Sequence, residues 1–237
     1  MRSVLILGSG PNVTEARTWP RAPFDHILAI NNAWRVRDDW DELIHPSDFP
    51  EDRHPPHGPR TTYKRYVPAQ NAYGGFVYAG GTMAFTAAYW ALYHHRPKVI
   101  AMMGCDMVYD RSRNTHFYGT GTADPLRADV TLQSLEAKSA RLMIHAARQG
   151  CAMVNLSSGD SRLVFPRATP QTLDQIAPPH WNTTIEQHAR RAEQRLGYYV
   201  PSGKYWKEEH RFDAAKLRAI DALWLRAAGA QSGAMVA

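Results

Sequence analysis

The sequence predicts an α/β fold: a mostly parallel sheet with helices on both faces, a lid-like excursion and a helical C-terminal segment. Three observations predict it. Val4-Leu5-Ile6-Leu7 is a short, continuously apolar run that stops at Gly8-Ser9-Gly10-Pro11, the pattern of a buried strand closed by turn residues. Further apolar runs of this length alternate with stretches of helical spacing. Polar residues recur at the C-terminal ends of those runs, at Ser9, Asn31, Ser47, Asp48, Asp106 and Ser157. In an open parallel sheet those ends line the ligand crevice.

The elements follow in order. After Pro11, Asn12-Val13-Thr14-Glu15-Ala16 reads as the start of a helix. Glycines at 8 and 10 allow a tight turn and a close backbone approach. With a helix N-terminus behind them they suit a phosphate cradle of free N–H groups; a plain strand-to-helix turn explains the same residues. The third glycine of the dinucleotide fingerprint and the Gly-Lys-Ser/Thr of a P-loop are both missing. His26 to Ile30 is a second strand, ending at Asn31-Asn32, and Glu42 to His45 a third, ending at Pro46-Ser47-Asp48. Residues 49–80 are rich in Pro, His, Arg and Tyr without a sustained helical period, and are too long for an ordinary connection; a functional lid and a small excursion of strands both fit. Gly80-Gly81-Thr82 opens a helix from Met83 to His95 that is apolar nearly all round and therefore buried. Lys98 to Gly104 is the central strand, followed by Cys105-Asp106 and a polar loop from Tyr109 to Asp129. An amphipathic helix spans Thr131 to Gln149, with Leu132, Leu135, Leu142, Met143 and Ala146 on one face and Gly150 as its cap. Cys151 to Leu156 is the last strand. Helices over Thr184 to Leu196 and Asp213 to Ala228 complete the chain. The organisation is thus a nucleotide-binding catalytic domain over 1–166, its lid at about 49–80, and a helical appendage over 167–237 packed on the same domain.

Length and composition agree. The 237 residues, 44% hydrophobic, suit one large α/β domain. No apolar run approaches the ~18 residues of a membrane span, and Met1-Arg2 leads straight into a strand, which leaves no room for a signal peptide. A cytoplasmic location is expected. Cys105 and Cys151 fall in apolar segments that read as neighbouring strands, so they are small buried hydrophobes and not a disulfide. No Cys/His spacing matches a structural zinc site. The net charge of +6 points to an acidic ligand: a nucleotide, an anionic glycan, a membrane surface or nucleic acid.

Taken in order, Gly8-Ser9-Gly10-Pro11, Ile30-Asn31-Asn32, His45-Pro46-Ser47, Gly81-Thr82, Met103-Gly104-Cys105-Asp106 and His116-Phe117-Tyr118-Gly119 resemble the bacterial sialyltransferases that extend lipooligosaccharide. The same core is similar to the wider group that includes 6-hydroxymethylpterin pyrophosphokinase-like proteins. The resemblance spans roughly residues 3 to 165. It implies a single Rossmann-like domain with a lid, and a glycosyltransferase that works on a nucleotide-activated sugar without a metal. In that family a Gly-Asn-Gly-Pro turn and a later Asn bind the nucleotide; here Ser9 replaces the first Asn and Asn31 matches the second. Tyrosines after the Gly-x-Asp strand steady the leaving phosphate, and Tyr109 stands close to that position. The family's general-base His follows the glycine of the His-aromatic-x-Gly segment. This chain has Thr120 there, which cannot take a proton at neutral pH. His116, Asp48 and Asp106 are the candidates to replace it.

The nucleotide-binding candidates are therefore Gly8, Ser9, Gly10, Pro11, Asn31, Asn32, Ser47, Gly81, Thr82, Gly104 and Ser157. The catalytic candidates are Asp48, Asp106, Tyr109 and His116, and no metal ligand is assigned. Structural roles compete: Asp106 suits a helix N-cap, Asp48 an Asx-turn, and His94 and His95 a helix C-terminus. The basic stretch Arg53, His54, His57, Arg60, Lys64, Arg65 suits an anionic ligand or a solvated loop. The aromatic and basic residues from Gly197 to Lys207 suit stacking on a base or sugar, or a strap that packs helices. Three functions remain open. One is a glycosyltransferase whose partners are a nucleotide-sugar donor and an anionic or polar acceptor, a surface glycan or a hydroxylated DNA base. Another is an ATP-dependent pyrophosphokinase-like enzyme, which would need Mg²⁺ held by carboxylates such as Asp48, Asp106 and Asp110. The last is a nucleotide-binding protein without catalysis.

Overall fold

The computed structural model describes residues 2–109, 114–119 and 128–229. Thr120 and Asp110 lie outside the described residues. Six strands, β1 (Ser3–Leu7), β2 (His26–Ile30), β3 (Glu42–Ile44), β4 (Arg60–Thr61), β5 (Val99–Met103) and β6 (Ala152–Asn155), form one sheet in the order β4-β3-β2-β1-β5-β6. Every neighbouring pair is parallel. The chain steps outward from β1 to β4, returns, and lays β5 and β6 on the other side of β1. The order therefore reverses between β1 and β5.

Alternate residues of each strand face opposite sides of the sheet. Val4 and Ile6 join Leu28, Ile30, Ile44, Ile100 and Met102 on one side. Leu5 and Leu7 join Ile27, Ala29, Leu43, Ala101 and Met103 on the other. Burial on both faces explains why β1 reads as an unbroken apolar run. The first face is covered by α1 (Tyr63–Asn71), α3 (Met83–His94) and α4 (Leu135–Arg148), through Tyr66, Ala69, Phe85, Ala88 and Leu142. The second is covered by 3₁₀ helices, Pro11–Thr18 and Asn31–Val36, through Val13, Ala16, Ala33 and Val36. The helix expected to start at Asn12 is thus a 3₁₀ helix. Thr14 and Thr18 donate their hydroxyls to the carbonyls of Pro11 and Glu15, three residues back, a local bond that competes with the α-helical ladder.

Residues 49–80 hold one short strand and two helices, where the sequence shows no sustained helical period. They supply edge strand β4, α1 and the short α2 (Phe76–Ala79), and they bury Tyr66, Ala69, Tyr73 and Ala79 in the core. Buried Gln70 donates to Gly80 O (3.1 Å) and accepts from the Thr86 hydroxyl (2.8 Å), fixing α1 to the entry of α3. Pro68 inside α1 and the exposed Lys64 and Arg65 are what hide its helical period. Helix α3 is capped by Thr82, whose Oγ1 accepts from Phe85 N, and α4 by Ser134, whose Oγ accepts from Ala137 N. The expected first turn of α4 is a separate 3₁₀ turn, Val130–Leu132.

Helices α5 (Thr183–Leu196) and α6 (Ala214–Ala227) pack on α4 through Ile144, Ala189, Leu217, Ile220 and Trp224. The segment between them buries Tyr198, Val200 and Tyr205 in the same cluster, so it is a helix-packing strap, although Tyr199 and Trp206 remain exposed. Both cysteines are free and buried, but just outside the neighbouring strands: Cys105 lies two residues past the carboxyl end of β5 and Cys151 directly before the amino end of β6. Burial pushes the Cys151 thiol up to about 12 and the Cys105 thiol higher still, so neither is a nucleophile at neutral pH. Among the described residues no helix is long and apolar enough to cross a membrane.

Candidate functional site

A cleft of about 430 Å³ opens at the carboxyl ends of β1, β2 and β5. This is where the strand order reverses, the place at which a parallel sheet leaves room for a ligand between loops that diverge to opposite sides. Gly8 to Asn12 follow β1, Ile30 and Asn31 close β2, Gly104 to Tyr109 follow β5, and Thr82 to Ala84 open α3; all line the cleft, with Thr115, His116, Tyr118 and Asp160.

The two glycine-bearing turns are locked to each other. Gly8 N donates to Met103 O (2.8 Å) and Gly10 N to Gly104 O (2.8 Å). A Cβ on Gly8 would run into Gly104 O, and one on Gly10 would stand 2.9 Å from it. Gly104 has φ +72 and faces Val13 at close range. This corrects the phosphate-cradle expectation: the Gly8 and Gly10 N–H groups are spent on β5, and the missing side chains make room for backbone, not ligand. Pro11 has no N–H, and the helix behind it is 3₁₀.

Asp106 is the hub of a polar brace beneath the cleft. Its Oδ2 accepts from Asn12 Nδ2 and its Oδ1 from Asn155 Nδ2, each at 2.8 Å, and Arg167 stands 4.0 Å away. Asn12 Nδ2 also donates to Ser157 Oγ (2.6 Å). With one hydrogen bond accepted at each oxygen, this carboxylate ties together the ends of β1, β5 and β6 while it lines the cleft. Ser157 is buried in the same brace and is not part of the cleft lining.

The wall over this floor comes from the segment 114–119. Phe117 N donates to Ser9 O (3.0 Å) and Phe117 packs into the second face of the core. His116 and Gly119 exchange backbone hydrogen bonds, N to O at 3.0 and 3.1 Å, forming a tight turn. The Thr115 hydroxyl lies 2.9 Å from His116 Nδ1 and fixes the ring. The ring stacks on Tyr118 (5.0 Å between centroids) and stands 6.4 Å from that of Tyr109. On the opposite side Asn31 has φ 52, a left-handed conformation that asparagine tolerates better than most residues, and its buried Oδ1 has no hydrogen-bond partner. Among the described residues the lining has no Lys or Arg.

The structure thus brings together Gly8, Ser9, Gly10, Pro11, Asn31, Thr82, Gly104, Asp106, Tyr109 and His116. It leaves Asn32, Ser47, Asp48 and Gly81 outside the lining. Asn32 is buried at the start of its 3₁₀ helix, while Ser47 and Asp48 are exposed. Burial pushes the Tyr66 hydroxyl up to about 12, and the Asp48 charge adds to that. Gly81 has a packing role: its N–H donates to Thr131 Oγ1 (3.0 Å), and a Cβ would collide with the Tyr205 hydroxyl. Sequence reasoning missed Asn12 and Asp160. Asn12 looked like any first residue of a helix, although a polar residue directly behind a glycine-rich turn carries that signal. Comparison with family models, curated proteins and solved structures finds no match to this chain.

Proposed function

We propose that the protein binds a nucleotide-activated sugar in this cleft and transfers the sugar to a hydroxyl acceptor without a metal. One observation carries the reading: a cleft at the reversal of strand order gathers Ser9, Asn31, Tyr109 and His116 from four separate segments. Asn31 Oδ1 is an acceptor without a partner among the described residues, suited to a ribose or base donor. Tyr109 is a hydrogen-bond donor for a departing phosphate. His116 is the general base for the acceptor hydroxyl, since imidazole is the side chain whose ordinary titration spans neutral pH. The acceptor, a surface glycan or a hydroxylated base in DNA, is recognised in part by the basic surface of the molecule.

Titration of the full chain in EDTA with CMP, UMP, UDP and ATP tests the binding site. One nucleotide is expected to bind, and Asn31→Gly, which keeps the left-handed backbone and removes the amide, is expected to weaken it about tenfold, the scale of one hydrogen bond to a buried group. Equal affinity in the variant would place the site elsewhere. With a donor in hand, His116→Gln is expected to lower turnover about 10²-fold or more at unchanged donor affinity. The same loss in Asp48→Asn instead would move the base to the loop after β3. A requirement for Mg²⁺ would favour diphosphate transfer from ATP.

A further inference from the structure

We propose that His26, Glu42 and His95 form a binding site for one divalent transition-metal ion, with Zn²⁺ the ion that fits. It is independent of the cleft. His26 and Glu42 are the first residues of β2 and β3, and His95 is the residue that closes α3. They gather at the amino ends of the strands, the length of β2 away from Ile30 at its other end, about 13 Å at ~3.3 Å per strand residue.

The geometry is that of a ligand set. His26 Nε2 lies 3.2 Å and His95 Nε2 3.1 Å from the same oxygen, Glu42 Oε2. One donor atom from each of the three residues lies within 4.8 Å of the others. Ligands held at about 2.0–2.1 Å around a tetrahedral ion stand roughly 3.3 Å apart. Two of the three edges already have that length. Two imidazoles and one carboxylate are also a donor set that zinc takes, with a fourth position left for water.

The surroundings fix the ligands. Glu42 Oε1 accepts from Trp90 Nε1 (2.9 Å) and from the Thr61 hydroxyl, so the carboxylate can only present Oε2 to the two rings. His26 Nδ1 lies 3.8 Å from Asp41 Oδ2, and that oxygen is itself held by Ile27 N (2.7 Å). At that distance the carboxylate does not hydrogen-bond the ring, and Arg21 Nη2 holds the same oxygen (2.5 Å). Burial alone would raise the Glu42 carboxyl, but hydrogen bonds from His26, His95 and Thr61 outweigh it and hold the group well below the ordinary carboxylate range. The side chains of His26, Glu42 and His95 are 14%, 8% and 11% exposed, enough to admit an ion to a preformed site. A bound ion would tie the starts of two strands to the end of the helix that crosses them.

The test uses the full chain stripped with chelator and then titrated with ZnCl₂ at pH 7.5. One saturable equivalent is expected, with a rise in Tm, because an ion that binds only the folded state stabilises it. His26→Gln with His95→Gln is expected to abolish both effects. His45→Gln with His54→Gln, at a second pair of neighbouring rings (4.6 Å between centroids), is expected to leave them intact. CoCl₂ added to wild type should give the visible absorption of a low-symmetry site, and His95→Gln alone should lose it; this readout stands if the double variant does not fold. Wild type without saturable Zn²⁺ uptake, or uptake that survives loss of both histidines, would overturn the proposal and leave a carboxylate hydrogen-bonded between two imidazoles.

Discussion

His145 shows how one buried side chain sets a pH limit. It lies on α4 among Tyr73, Tyr89 and Trp224, and its Nε2 is sealed from solvent without a partner. Burial first, and then the charges of Arg141, Arg148 and Arg190, hold its imidazole well below the ordinary value. In the unfolded chain the ring accepts a proton near its ordinary value of about 6.5. The unfolded state therefore binds more protons than the folded one as the pH drops. The contribution is fully present above about pH 6.5 and is lost progressively below it, by at most ~1.4 kcal/mol per pH unit for one proton. Urea unfolding at pH 7.5 and 5.5 should show this loss in wild type and a smaller one in His145→Leu. Parallel losses in the two proteins would assign the acid sensitivity to other groups. Asn31 belongs at the same scale: a left-handed backbone conformation and a buried oxygen without a partner among the described residues coincide in the lining of the cleft.

Between elements, the decisive contacts are buried charges. Arg141 on α4 donates Nε and Nη2 to the two carboxylate oxygens of Glu193 on α5, both at 2.8 Å, and Nη1 to the Tyr89 hydroxyl (2.8 Å). Trp224 on α6 donates to Glu193 as well (2.7 Å). Lys138 pairs with Asp221 at 2.7 Å, both buried. Removing one partner of a buried pair leaves an uncompensated charge, so Arg141→Met and Glu193→Leu should each cost about 3–5 kcal/mol, and the double variant clearly less than their sum. Additive losses in denaturant unfolding would mean that the pair is not coupled. These contacts mark the limit of what the chain discloses. The strands β1, β2, β3, β5 and β6, the helices α3, α5 and α6 and the body of α4 are legible because apolar period and end signals are local. Helix α1 is not, since Pro68 and a basic exposed face break its pattern. The partners of Arg141 and Lys138 are not legible either, being 52 and 83 residues away. Polar residues at strand ends pointed to the end of the sheet at which the cleft opens. The true use of Gly8, Gly10 and Gly81 depends on which backbone or side chain comes opposite, and only the fold decides that.

For the molecule as a whole, the C-terminal third is not a detachable appendage. Helices α5 and α6 supply the carboxylates that pair with Lys138 and Arg141, and they cover Ile144 and Tyr78. A chain ending at residue 180 should therefore leave two buried cations unpaired and lose its cooperative thermal transition. A sharp melt within a few degrees of the full chain would show instead that the first 180 residues fold alone. The sheet order has a further consequence, for synthesis. β1 lies inside the sheet, yet it is made well before one of its two partners. Its partner on one side, β2, follows at once, but the partner on the other begins only at Val99. Until then Ser3-Val4-Leu5-Ile6-Leu7 presents a bare, apolar edge, the kind of surface that captures another chain's strand. Synthesis thus passes through a window, from Leu7 to Val99, in which a strand buried on both faces in the finished molecule lies open along one edge.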